Sequence, residues 1–174
     1  MAGASKVITF ILGGARSGKS SRAQALAETS GSRRCYIATA QAFDDEMKDR
    51  IAAHQAQRGN GWTTLEAPLD LADAVAVAGK SSDAVLIDCL TVWLSNLMHH
   101  ERNIAKETAG LVEALAACPV PVVVVSNEVG LSIVPENRLA RAFRDAQGRL
   151  NQDIAAAADT VELVAAGLSL KLKG

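Results

Sequence analysis

The chain has 174 residues, of which 49% are apolar and 3% aromatic, and its formal net charge is −1. That length suits one domain with a sizeable core, and the apolar share excludes a disordered chain. Near-neutrality excludes the broad basic footprint of a duplex-binding protein, so no nucleic-acid partner is expected.

The elements follow in chain order. Val7–Leu12 is a continuous apolar run, as expected of a strand covered on both faces. Lys6 before it is a faint echo of a secretory leader. The run is short, however, and Arg16 and Lys19 follow at once with no cleavage pattern. No stretch approaches the ~20 apolar residues of a membrane span. The reading is a cytoplasmic protein with no stable membrane insertion. Ser20–Thr29 reads as a helix ending near Gly31, and Cys35–Thr39 as a second strand. Asp44–Arg58 reads as a helix with Asp44, Asp45 and Glu46 in its first turn, where acids suit the dipole. Gly59-Asn60-Gly61 breaks the chain before a short strand at Trp62–Glu66 and a helix at Leu69–Val77.

Ala84–Asp88 is a buried strand ending on an acid. Leu90–His100 and Arg102–Cys118 read as helices. Val120–Val125 is the most β-branched run and so a central strand, with Pro121 tolerable near its start. Asn127–Asn137 reads as an ordered loop and Arg138–Ala158 as a long helix. Thr160–Ala165 and Ser169–Leu172, split by Gly167, form a terminal hairpin. The alternation predicts an α/β fold with a mostly parallel central sheet and helices on both faces, in a single domain over residues 1–174. Cys35, Cys89 and Cys118 show no metal-type spacing, and their odd number makes a poor disulfide framework, so they read as free thiols.

Gly13-Gly14-Ala15-Arg16-Ser17-Gly18-Lys19-Ser20 fits the P-loop pattern G-x-x-x-x-G-K-[ST], between an apolar strand and a helix as that motif requires. Glycines let the backbone wrap phosphate oxygens, and successive N–H groups and the helix N-terminus supply positive charge. Lys19 would reach the β and γ phosphates, and Ser20 would offer its hydroxyl to Mg²⁺. Mg²⁺ usually takes a carboxylate as well, and Asp88, at the end of its strand, stands about where a Walker B acid sits; a helix-capping acid is the competing reading.

The chain has three histidines. His99 and His100 close a helix, a favourable place for imidazoles. Met47, Ile51, His54 and Arg58 are spaced to share one helix face. Two readings of His54 stay open here. It packs as an ordinary side chain, or it attacks a phosphate and holds it as a phosphoramidate, with Arg58 neutralising the charge.

The residues resemble the bifunctional adenosylcobinamide kinase/adenosylcobinamide-phosphate guanylyltransferase family of cobalamin biosynthesis over nearly the whole chain. The segments that carry the resemblance are the P-loop, Tyr36-Ile37-Ala38-Thr39-Ala40, Asp45-Glu46-Met47 with Arg50-Ile51 and His54, and Trp62 with Thr64 and Glu66. Further on they are Leu86-Ile87-Asp88-Cys89-Leu90-Thr91, Ser126-Asn127-Glu128-Val129-Gly130, Val134-Pro135-Glu136-Asn137-Arg138, and Phe143-Arg144-Asp145 with Gly148 and Asn151.

The resemblance implies a RecA-like P-loop NTPase fold and two reactions at one nucleotide site. In the first, ATP or GTP phosphorylates the aminopropanol hydroxyl of adenosylcobinamide. In the second, GMP passes from GTP to that phosphate through a histidine, giving adenosylcobinamide-GDP. By the same resemblance the histidine is His54, preceded by Ala53 where some relatives carry a second histidine. The GTP contacts would be Gly13 to Ser20, Ala38, Thr39, Ala40, Gln55, Ala56, Gln57, Arg58, Glu66 and Asp88. Glu66 would be an acceptor for the guanine N–H edge, the Asn127–Arg138 loop would shape the corrinoid side, and the protein would be a homo-oligomer, a trimer. Against this stand a plain small-molecule P-loop kinase with a structural His54, and a nucleotide sensor without catalysis.

Overall fold

Among the described residues, seven strands form one sheet in the order Trp62–Glu66, Arg34–Ala38, Ala84–Asp88, Val122–Asn127, Ile8–Gly13, Thr160–Ala165, Leu168–Lys173. The computed structural model describes residues 6–41 and 58–174. The strands are β1 (Ile8–Gly13), β2 (Arg34–Ala38), β3 (Trp62–Glu66), β4 (Ala84–Asp88), β5 (Val122–Asn127), β6 (Thr160–Ala165) and β7 (Leu168–Lys173). The helices are α1 (Lys19–Glu28), α2 (Leu71–Ser81), α3 (Leu90–His99), α4 (Ile104–Ala117) and α5 (Arg138–Ala157). All neighbouring strands run parallel except β6 and β7, which form the terminal hairpin.

Side chains alternate across the sheet and fill two cores. Phe10, Ile37, Val85, Ile87, Val122 and Val124 face one side, where α2, α3, α4 and α5 supply Leu71, Val75, Trp93, Leu94, Leu111 and Leu150. Ile11, Leu86, Val123, Val125 and Val164 face the other, where α1 supplies Ala23 and Ala27. Each of these large apolar side chains contributes about 1.5–3 kcal/mol by leaving water. Central strands buried on both faces explain the unbroken apolar runs of β1 and β5.

Several boundaries differ from expectation for local reasons. Helix α4 starts at Ile104 rather than Arg102 because the Asn103 carboxamide caps it, accepting from Lys106 N at 3.1 Å. Arg102 is instead drawn to Glu107 and Asp70. Helix α2 starts at Leu71 because the Leu69 carbonyl is used by Leu71 N and by the Trp93 indole. It runs on through Gly79, where a Cβ would lie 2.8 Å from Cys118 Sγ; the bare glycine allows that close packing. Strand β5 starts after Pro121, whose carbonyl accepts from Val85 N at 3.0 Å. The expected Asp44–Arg58 helix lies outside the described residues except for Arg58, which sits in a bend.

Candidate functional site

The carboxyl ends of the parallel strands carry the chemistry-bearing residues. Glu66, Ala38 and Asp88 fall in one row across β3, β2 and β4, since Ala38 pairs with both Glu66 and Asp88. Gly13 pairs with Asn127 on β5 and Val164 on β6. Ligands of open α/β sheets bind at this edge.

The P-loop leaves β1 at Gly13, where backbone closeness requires glycine. A Cβ there would lie 2.5 Å from Ser17 Oγ and 2.6 Å from Val164 O. Arg16 and Gly18 take left-handed φ values of 54° and 95°. Gly18 also abuts the hairpin turn, with its would-be Cβ 3.2 Å from Gly167 Cα. Gly167 N donates to Ser17 O at 2.8 Å, so the β6–β7 turn braces the loop from behind. Gly14, Ala15 and Arg16 are exposed, and Lys19 and Ser20 half-buried. Lys19 Nζ donates to Gly14 O at 3.0 Å, folding the ammonium over the loop. Ser17 Oγ is buried with no partner among the described residues.

Asp88 ends β4 on the same edge. The Tyr36 hydroxyl donates to Asp88 Oδ2 at 3.1 Å. Burial, then the neighbouring Asp88 carboxylate, pushes that hydroxyl above its ordinary pKa, so it stays a donor. The Arg58 guanidinium lies over the Tyr36 ring at 3.6 Å from its centroid. Burial lowers the Arg58 pKa, while Tyr36 and Asp88 oppose that shift. Thr39 is fully buried, and its hydroxyl both donates to Cys89 O at 2.8 Å and accepts from Cys89 N at 2.9 Å. Asn96 holds the Thr39 carbonyl from α3 at 2.9 Å. Thr39 thus ties the end of β2 to the residue after Asp88.

The hydroxyl of Ser20 and the carboxylate of Asp88 are hard oxygen donors of the kind Mg²⁺ takes together with substrate phosphates. No cluster of three or more His, Cys, Asp or Glu capable of holding a metal exists among the described residues. A site of one hydroxyl and one carboxylate completed by phosphates fits both facts.

The structure therefore brings the P-loop, Ala38, Thr39, Ala40, Glu66 and Asp88 to one edge of the sheet, with Arg58 stacked on Tyr36 beside Asp88. Glu66 is exposed at the tip of β3. His54, Gln55, Ala56 and Gln57 lie outside the described residues. His99 and His100 are exposed at the end of α3 with their rings at 5.2 Å, consistent with their reading as helix-end residues. Sequence reasoning gave Tyr36 no role and did not anticipate the Gly167 brace; no pattern links either residue to the loop it serves.

A second feature flanks this edge. The Ser126 hydroxyl donates to Asn151 Oδ1 at 2.8 Å, and the Gln147 amide donates to both. Asn151 Nδ2 holds Asn127 O at 3.1 Å, and Thr91 Oγ1 accepts from Asn127 N at 2.9 Å. This buried network anchors the root of the loop that follows β5. Between that loop, α3 and the first turns of α5 lies a cleft of about 740 Å³, walled by Met98, Val129, Leu139 and Phe143, with His99 and Arg144 also lining it.

A family model described as cobinamide kinase / cobinamide phosphate guanyltransferase matches residues 9–172. The chain is 46% identical over 167 residues to the bifunctional adenosylcobalamin biosynthesis protein CobP of Pseudomonas aeruginosa, covering 95% of this chain and 96% of the relative. It is 41% identical over 182 residues to the bifunctional adenosylcobalamin biosynthesis protein CobU of Escherichia coli, covering 96% and 100%. Among solved structures, the flagellar accessory protein FlaH of Methanocaldococcus jannaschii superposes with a TM-score of 0.56 at 15% identity, over 97% of this chain and 78% of that one. A KaiC-like protein of Pyrococcus horikoshii gives 0.54 at 12% identity, over 91% and 72%. These likenesses bear out the expected RecA-like P-loop NTPase fold and extend no further.

Proposed function

Because the chain belongs to the cobinamide kinase / cobinamide phosphate guanyltransferase family, an enzyme family of adenosylcobalamin biosynthesis, we propose that it carries out both reactions at the single P-loop site, with His54 as the covalent carrier of GMP. In the first step ATP or GTP phosphorylates the aminopropanol hydroxyl of adenosylcobinamide. In the second, His54 attacks the α-phosphate of GTP, forming an N–P bond as the bond to pyrophosphate breaks. The adenosylcobinamide phosphate then takes the guanylyl group, giving adenosylcobinamide-GDP and freeing the imidazole.

The observation that carries this reading is the assembly of the P-loop with Asp88, Tyr36 and Arg58 at one sheet edge. The loop amides and Lys19 hold the triphosphate, with Lys19 giving up its bond to Gly14 O for phosphate oxygens. Ser20 and Asp88 would hold Mg²⁺, which when bound neutralises charge on the phosphates. Gly13 to Ser20, Ala38, Thr39, Ala40, Gln55, Ala56, Gln57, Arg58, Glu66 and Asp88 make up the nucleotide site. Thr39, fully buried with its amide, carbonyl and hydroxyl all bonded within the protein, serves the site by holding Cys89 and the end of β4 in place. Glu66, exposed at the end of β3, is free to accept from the guanine edge.

The Asn127–Arg138 loop shapes the corrinoid side, and the apolar walls of the neighbouring cleft suit packing against a broad ring system. The protein works in the cytoplasm as a single-domain subunit of a homo-oligomer, a trimer. Leu168, Leu170 and Leu172 of β7 stay exposed on an edge strand, which favours association. Among the described residues no helix is long and apolar enough to cross a membrane.

Incubation with α-labelled GTP, followed by denaturation, tests the assignment. The expected product is an acid-labile, alkali-stable adduct that is absent from His54→Ala. Persistence of that adduct in His54→Ala would sink the choice of nucleophile. Transfer of γ-phosphate to cobinamide with no adduct at all would leave a plain kinase with a structural His54.

A further inference from the structure

Tyr36 sits on β2 with its ring in the α1-side core, where packing alone needs no hydroxyl. Its neighbours box the ring in. Trp62 meets it edge-on at 6.5 Å between centroids and 76° between planes, and Arg34 in turn lies 5.6 Å from the Trp62 centroid. Arg58 stacks over the ring at 3.6 Å from its centroid. A half-buried hydroxyl costs free energy unless it is hydrogen-bonded, and this one donates to Asp88 Oδ2. A phenylalanine would fill the same space without that cost. With Oδ2 held, the Asp88 carboxylate keeps one orientation at the end of β4, as outer partners do for metal-binding carboxylates. On the other side, Arg58 Nη1 is buried with no partner among the described residues. A guanidinium pinned flat with a donor to spare suits an oxyanion such as a nucleotide phosphate.

The geometry points to Tyr36 as a positioning residue of this active site: its hydroxyl fixes Asp88 for the metal-bound triphosphate, and its ring seats Arg58, so one aromatic side chain joins the metal side of the site to the segment that carries His54. The Arg58 half rests on the reading of His54 as nucleophile. The Asp88 half does not.

Two variants separate the halves. Tyr36→Phe keeps the ring and deletes the hydroxyl; Tyr36→Leu deletes both. GTP binding is followed by calorimetry while Mg²⁺ is titrated, and guanylyl-adduct formation is timed at saturating Mg²⁺. Tyr36→Phe is expected to raise the half-saturating Mg²⁺ about tenfold, with binding of metal-free GTP unchanged. Tyr36→Leu is expected to show the same Mg²⁺ shift and also to slow adduct formation, by up to about a hundredfold through misplacement of Arg58. Wild-type Mg²⁺ dependence in Tyr36→Phe overturns the Asp88 half, even if its melting temperature falls. A wild-type rate of adduct formation in Tyr36→Leu overturns the Arg58 half. A wild-type enzyme that forms no adduct overturns the His54 reading and the Arg58 half with it; the Mg²⁺ titration still decides the Asp88 half.

Discussion

Arg22 and Glu162 meet in a two-point pair, Nε to Oε2 and Nη2 to Oε1, both at 2.8 Å. The pair locks α1, the helix that begins at Lys19, to β6 across the α1-side core. Glu162 is buried, whereas the Arg22 side chain is 39% exposed.

Removing Arg22 leaves a buried carboxylate without its partner. Arg22→Ala is therefore expected to cost about 1–3 kcal/mol, below the figure for fully buried pairs because Arg22 is partly solvated. The hydrogen bond and charge of Arg22 hold the Glu162 pKa below its ordinary value. A carboxylate whose folded pKa is depressed stabilises the fold above its unfolded pKa and loses that contribution as pH falls through the folded one. Urea unfolding between pH 7 and pH 3 should show the wild type losing this stability below about pH 4.5, while Glu162→Gln starts lower and changes less. Parallel pH curves for the two proteins would refute the assignment.

Gly13→Ala should lose nucleotide binding and stability together. Its Cβ would strike Val164 O, which is backbone and cannot turn aside. Overpacking of this kind costs about 1–3 kcal/mol. Gly14→Ala, which meets nothing within 4 Å, should melt like the wild type. Equal melting temperatures for the two variants would count against the close packing at Gly13.

The buried polar network predicts a loss that hydrophobicity does not repair. Asn151→Leu leaves the Ser126 hydroxyl, one Gln147 donor and the Asn127 carbonyl short of partners. About 1–3 kcal/mol is expected for each group stranded without water. Thermal unfolding measures this, and an unchanged melting temperature would show that the network contributes nothing.

Guanylylation through His54 requires a neutral imidazole. Adduct formation should fall on the acid side, approaching tenfold per pH unit, while γ-phosphate transfer keeps its own profile. Rapid-quench assays of both steps on one enzyme make the comparison. A shared acid limb would point to a common group instead of His54.

Much of this architecture is legible in the chain itself, because its signals are local. The P-loop reads from eight consecutive residues, Val120–Val125 from β-branching, and the terminal hairpin from Gly167 between two alternating runs. The side-chain pairs around the P-loop edge are not local. Tyr36 reaches Asp88 over 52 positions, and Arg22 reaches Glu162 over 140. Such pairs follow from strand order, and periodicity alone does not place β1 between β5 and β6. Helix starts at Leu71 and Ile104 were missed because single side-chain and carbonyl bonds decided them.

The position of β1 bears on how the enzyme is made. Its residues leave the ribosome early, yet its neighbours are β5 and β6, and Ile8 N waits for the Asp159 carboxylate 151 positions later. The phosphate cradle cannot take its final form until β6 and the turn after it have emerged, because Val164 and Gly167 complete its rear wall. A nascent chain halted anywhere before β6 is therefore expected to carry the whole G-x-x-x-x-G-K-[ST] motif and hold no GTP. Capture of ribosome-stalled chains of graded length on immobilised nucleotide would locate that onset.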